Sequence, residues 1–160
     1  MDSTLENEPP IPFAGSWLTA KRHVCAFFHT PDEEYRVLLP FIKDGFDRGD
    51  RAYHIVDPKL REAHIRRLTE SGIDVAAAQR SGRFELRNWE DAYLRDGHFD
   101  QSRMLALIEE VLEAGRSQGA LTRLVAHMEW ALEDRPGVDD LVEYETRLNY
   151  LLPRYRDAVV

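Results

Sequence analysis

Apolar and polar positions along this chain change period in a regular order, and each change marks an element boundary. The run His23-Val-Cys-Ala-Phe-Phe28 is short, apolar and of strand type. Thr30-Pro-Asp-Glu33 then predicts a helix start, with Thr30 as N-cap, Pro31 at the first helical position and Glu33 closing a capping box. Tyr35, Leu38, Leu39, Ile42 and Phe46 follow at helical spacing, and Pro40 is expected to bend this helix because it cannot donate one turn back. Gly49-Asp50 ends it. Ala52 to Val56 is a second strand, and Asp57-Pro58 repeats the cap-plus-proline signal for a helix that stops at Ser71-Gly72. A helical turn over Val75 to Gln79 leads to a third strand, Phe84 to Trp89, whose alternation suits a strand with one less buried face or one nearer a sheet edge.

Glu90 to Phe99 has no clean period and the length of a lid or binding loop. Asp100 caps the next helix, with Met104, Leu105, Ile108, Val111 and Leu112 on its buried stripe. Leu121 to Trp130 is the fourth strand, Arg135-Pro-Gly137 breaks the chain, and Val138 to about Tyr155 is a helix carrying Leu141, Leu148, Leu151 and Leu152. Ala158 to Val160 opens a fifth strand. Strand and helix alternate throughout, which predicts an α/β fold: a three-layer parallel sheet of about five strands with helices on both faces. Residues 1–18 form a flexible N-terminal tail in this reading, turned at Pro9-Pro10 and anchored by Phe13 or Trp17, and residues 19–160 form one domain.

Composition narrows the function classes. Hydrophobic residues at 43 % and charged ones at 31 % are ordinary for a globular protein. A net charge of −8 and the lack of a basic arm exclude direct nucleic-acid binding and an anionic membrane surface. The N-terminus lacks a basic region followed by an apolar run, and Cys25 has no second cysteine to pair with, so a cytoplasmic protein is expected.

In an open parallel sheet, ligands bind beyond the carboxyl ends of the strands. That rule selects His29 to Glu34, Asp57-Pro58, Trp89 to Tyr93 and Glu129 to Asp134, which hold carboxylates and aromatics but no lysine. The loop after the first strand has no glycine and begins acidic, so no ATP cradle is expected there. His29 lies in this loop. Trp89 and Trp130 each follow a strand; they are either loop anchors or the wall of a small apolar pocket.

Two further patterns stand apart. His23-x-Cys25 and His127-x-Glu129 each place two ligand-type side chains on one strand face. If their strands are neighbours, the four converge on a soft-metal site or a thiol polarised by imidazole. A buried cysteine among satisfied core histidines accounts for the same spacing. His54 and His64 are expected to be structural or exposed.

The segments HVCAFFHTPDEEYRVLLPFI at 23–42, AYHIVDP at 52–58 and HMEWALEDRPGVDDLVEYE at 127–145 resemble the MEDS domain family, sensory domains named from methanogens and methylotrophs. The resemblance implies a RecA- or KaiC-like P-loop fold with a degenerate nucleotide site. It also implies non-catalytic recognition of a small organic, hydrocarbon-derived ligand beside a histidine kinase or DNA-binding regulator. The family's histidine and cysteine positions would be His23 and Cys25, and the fold would set the first strand beside the fourth. Such domains continue past the fifth strand, whereas this chain ends at Val160. A truncated or minimal sheet with an open edge, able to pair with a second copy as a homodimer, is expected from that difference.

Overall fold

The structure is a computed structural model and describes residues 9–160. Its centre is a parallel sheet of four strands, β3 (Arg51–Val56), β4 (Phe84–Asn88), β5 (Thr122–Ala126) and β6 (Ala158–Val159), in the order β4-β3-β5-β6. A separate antiparallel hairpin, β1 (Ile11–Phe13) and β2 (Ser16–Leu18), precedes it.

Helices cover both faces. Ala52, Val56, Val125 and Ala158 point to α1 (Pro31–Arg48), α2 (Arg61–Glu70) and α3 (Val75–Arg80), whose Leu38, Phe41, Ile42, Leu68 and Val75 complete one core. Tyr53, Ile55, Leu124 and Val159 point the other way, to Ile108 and Leu112 of α4 (Gln101–Ser117) and Leu148 and Leu151 of α5 (Leu141–Leu151). Period-two alternation along β3 and β5 thus supplies two cores from one sheet.

The expected caps are present. The Thr30 hydroxyl accepts from the Glu33 amide at 3.1 Å, Asp57 from Lys59 at 2.9 Å and Asp100 from Arg103 at 2.8 Å. The Glu33 carboxylate reaches back one residue further than a capping box requires, to the His29 amide at 2.8 Å. Gly49 ends α1 in the left-handed conformation, at φ 88°. The helix is assigned as continuous through Pro40. Thr30→Ala should cost about 1 kcal/mol in urea unfolding, because the amide it satisfies has no other partner in the first turn. An unchanged midpoint with an unchanged slope would remove Thr30 from the cap.

Four expectations change. First, no strand forms over His23 to Phe28. His23 makes a single parallel bridge to Val159, supported by the Val24 amide on the Val159 carbonyl (2.9 Å) and the Val159 amide on Arg22 (2.8 Å). The reason is that β6 is only two residues long, so the backbone beyond Val24 has no ladder to join, and Phe27 is 94 % exposed. Second, this segment lies beside β6, the last strand, and not beside β5. Third, β5 stops at Ala126: the His127 amide makes one more bond, to Ile55 at 2.9 Å, and Glu129–Leu132 then coil into a 3-10 turn. Fourth, the segment over Glu90 to Phe99 is no lid, since Ala92, Tyr93, Leu94 and Phe99 are buried in the α4/α5 core.

Of the expected tail, residues 1–8 lie outside the described residues. Residues 11–18 form the hairpin, and Ile11 is buried in the α1 core. Among the described residues no helix is long and apolar enough to cross a membrane.

Candidate functional site

The chain leaves β3 for β4 on one side and returns to place β5 on the other, so the crevice between the carboxyl ends of β3 and β5 is the switch point of this sheet. Three elements deliver side chains there. His127 and Glu129 come from the end of β5 and the turn behind it. Glu34 comes from the first turn of α1, where the Thr30 cap and Pro31 fix the helix register. Asp57, which caps the turn after β3, is close enough for its charge to act on His127.

The geometry is tight. His127 Nδ1 stands 3.4 Å from Glu34 Oε1 and 3.8 Å from Glu129 Oε1, and these three groups can each turn a ligand atom to within 4.8 Å of the others. The His127 side chain is only 2 % exposed, and neither ring nitrogen has a hydrogen-bond partner. Its backbone is held by Trp89, whose indole N–H donates to the His127 carbonyl at 2.9 Å. Burial lowers the His127 pKa, with Glu129 and Asp57 opposing it. Burial, reinforced by the Glu129 charge, lifts Glu34 to about 7. A half-buried carboxylate is thus held beside a second one with too little positive charge to balance them.

Beneath this crevice lies a buried polar chain. The Tyr35 hydroxyl is 2.5 Å from His64 Nδ1, and His64 Nε2 is 2.8 Å from His54 Nδ1. The His64 ring meets His127 edge-on at 5.5 Å between centroids. Burial drives His64 down to about 3 and His54 well below its usual value, so both are neutral. His54 and His64 are expected from sequence to be structural or exposed; both are fully buried, and His64 touches the floor of the site.

His23 and Cys25 belong elsewhere. His23 meets α5 through Asn149 (2.9 Å) and Glu145 (3.2 Å), and the Cys25 thiol is 3.7 Å from Glu145. That places them on the α4/α5 side of the sheet, opposite His127, which faces α1 and α2. The expected quartet is therefore two triads, Glu34–His127–Glu129 and His23–Cys25–Glu145. Burial opposes a charge on His23, but Glu145 and Asn149 outweigh it and raise its pKa. Burial and the neighbouring Glu145 charge push the Cys25 thiol up, the wrong direction for a nucleophilic thiolate.

The remaining candidates are placed as follows. His29 is exposed, and only its backbone amide is engaged, by Glu33. Trp89 is buried and acts as a brace for His127. Trp130 is buried among Tyr93 and Phe99, with ring centroids at 5.0 and 5.2 Å, and so is core and not a pocket wall. Sequence reading had Glu34 only as the end of the segment His29 to Glu34, not as a partner of His127, and missed the Tyr35–His64–His54 chain. The available signal was one of face: His54 shares its strand face with Ala52 and Val56, and Glu34 and Tyr35 sit within one turn of a clear cap.

Comparison with known sequences agrees with the MEDS resemblance. The family model MEDS, described as the methanogen/methylotroph, DcmR sensory domain, matches residues 22–160. The transcriptional repressor DcmR of Methylorubrum extorquens is 28 % identical over 151 residues, covering 93 % of this chain and 54 % of the repressor. This chain thus spans about half the length of that relative. No solved structure matches it. The chain belongs to the MEDS family of sensory domains.

Proposed function

We propose that this chain is the ligand-sensing part of a cytoplasmic regulatory system, that it binds a small organic, hydrocarbon-derived molecule without transforming it, and that its occupancy is passed to a DNA-binding or histidine-kinase partner. The observation that carries the reading is the polar cluster at the β3/β5 switch point, where a buried imidazole and two carboxylates converge in a MEDS domain. The relative's role as a transcriptional repressor supports a regulatory output.

The helix that would carry a nucleotide's phosphates in a P-loop fold carries acids instead. Asp32, Glu33 and Glu34 occupy the first turn of α1, and Gly45 is the first glycine in that helix. Backbone amides at a helix start attract anions, but three carboxylates placed there reverse the local field. The fold is accordingly read as RecA/KaiC-like with a nucleotide site that has lost its function, and the ligand as neutral or cationic.

Calorimetry of the full chain with ATP and magnesium should give no saturable heat at micromolar concentrations. Native mass spectrometry of freshly purified protein should instead show a retained small organic mass, or a thermal-shift panel of small amines, alcohols and halocarbons should raise the midpoint for one class. Magnesium-dependent micromolar ATP binding would overturn the reading.

A further inference from the structure

We infer that Glu34, His127 and Glu129 form a binding site for one divalent transition-metal ion of the zinc type, with a fourth position open. This inference stands whether or not an organic ligand binds nearby.

Three observations carry it. His127 is buried, yet neither ring nitrogen has a hydrogen-bond partner. A buried imidazole left so is costly, and a site that tolerates this has a use for the lone pair. The second is distance. At 3.4 and 3.8 Å the carboxylate oxygens are too far from Nδ1 for good hydrogen bonds. Ligands bound about 2.0–2.1 Å from a tetrahedral zinc lie roughly 3.3 Å from one another, so the spacing fits a shared ion better than direct contact.

The third is charge. The site gathers the carboxylates of Glu34 and Glu129 around one neutral ring, with Asp57 behind them. Arg67, whose charge acts on Glu34, is engaged elsewhere: it pairs with Asp32 at 2.6 Å and lies over the Tyr35 ring at 4.6 Å. A divalent cation supplies the missing positive charge. Trp89 and the Thr30 cap already fix the backbones that carry His127 and Glu34, so little ordering remains for the ion to impose.

Donor chemistry selects the class. One imidazole and two carboxylates suit zinc and neighbouring divalent ions, whereas a thiolate-seeking ion would favour the His23–Cys25–Glu145 triad. Three protein ligands leave a coordination position for water or a ligand heteroatom, as in zinc sites that act on small molecules.

The test uses the full chain, stripped with a chelator and titrated with Zn2+ by calorimetry and with Co2+ by visible absorption. One equivalent should bind, and the Co2+ adduct should show tetrahedral or five-coordinate bands without thiolate charge transfer. Glu129→Gln should weaken binding by more than about a hundredfold, beyond what loss of an outer-sphere partner costs. That side chain is 48 % exposed on a turn, so its replacement leaves the fold intact, which circular dichroism checks. Glu34→Gln should act in the same direction, and Cys25→Ser should change nothing. The inference fails if no saturable binding occurs, if Glu129→Gln binds like the parent, or if Cys25→Ser abolishes binding.

Discussion

Arg123→Met is expected to lower the unfolding free energy by about 3–5 kcal/mol, the largest loss from any single replacement named here, because it strands a buried carboxylate. Arg123 sits on β5, its side chain 2 % exposed, with Nε on Asp50 at 2.8 Å, one terminal nitrogen on Asp44 at 2.7 Å and the other on the Phe41 carbonyl at 2.7 Å. The guanidinium also lies 5.0 Å from the Phe41 ring centre. Asp44 is partly open and can turn to water, but Asp50 is only 9 % exposed and has no such exit. Asp50→Asn in the Arg123→Met background should recover part of the loss, since a neutral amide is cheaper to bury than a lone carboxylate. Urea unfolding of the parent, both single variants and the double variant measures this coupling. Near-additive effects would mean that the pair does not act as a unit. Gly45 belongs to the same arrangement: a Cβ there would stand 2.7 Å from Arg123 Cδ, so α1 can approach β5 this closely only without a side chain at that position.

The second large effect is expected from His64→Leu, about 2–5 kcal/mol, because one replacement orphans two buried groups. Tyr35 loses the acceptor or donor of its hydroxyl, and His54 Nδ1 loses its only partner; His54 Nε2 already has none. Tyr35→Phe should cost less, since it strands His64 Nδ1 alone. The triple variant Tyr35→Phe, His54→Phe, His64→Leu should be more stable than His64→Leu, because a buried polar chain removed entirely leaves nothing unpaired. Equal losses for Tyr35→Phe and His64→Leu would show that the chain is wet, with water taking up the freed positions.

Much of the fold is legible where local chemistry decides it. Thr30, Asp57, Asp100 and Gly49 mark helix ends because caps act over three or four residues, and a short window contains the whole signal. β3 follows from its apolar run and β4 from its alternation, which offered an edge position as one of two readings; β4 is an edge strand. Strand order is different. Nothing in HVCAFF says that its backbone will meet Val159 and not β5, and that pairing alone decides which face His23 and Cys25 occupy. The site was half legible for the same reason. His127 and Glu129 stood out by spacing, although Glu129 lies on a turn and not on a strand. Glu34 closed one of the strand-tip segments, but only tertiary packing joins it to His127 and Glu129. Arg123 likewise sits in an apolar strand, where its burial depends on acids of α1 and the loop after it.

One covalent strap joins the two triads that the sheet separates. His23 is fastened at the sheet edge and Glu34 rides on the first turn of α1, and the residues between Val24 and Thr30 belong to no helix or strand. The strap's far end is held by one backbone bridge, with amide hydrogen bonds of 2.8 and 2.9 Å, and by the His23 side chain on Asn149 and Glu145. Cys25 lies on the strap itself, exposed. The rate at which a thiol reagent labels it is therefore expected to shift, on the opposite face of the sheet, when a ligand moves the first turn of α1.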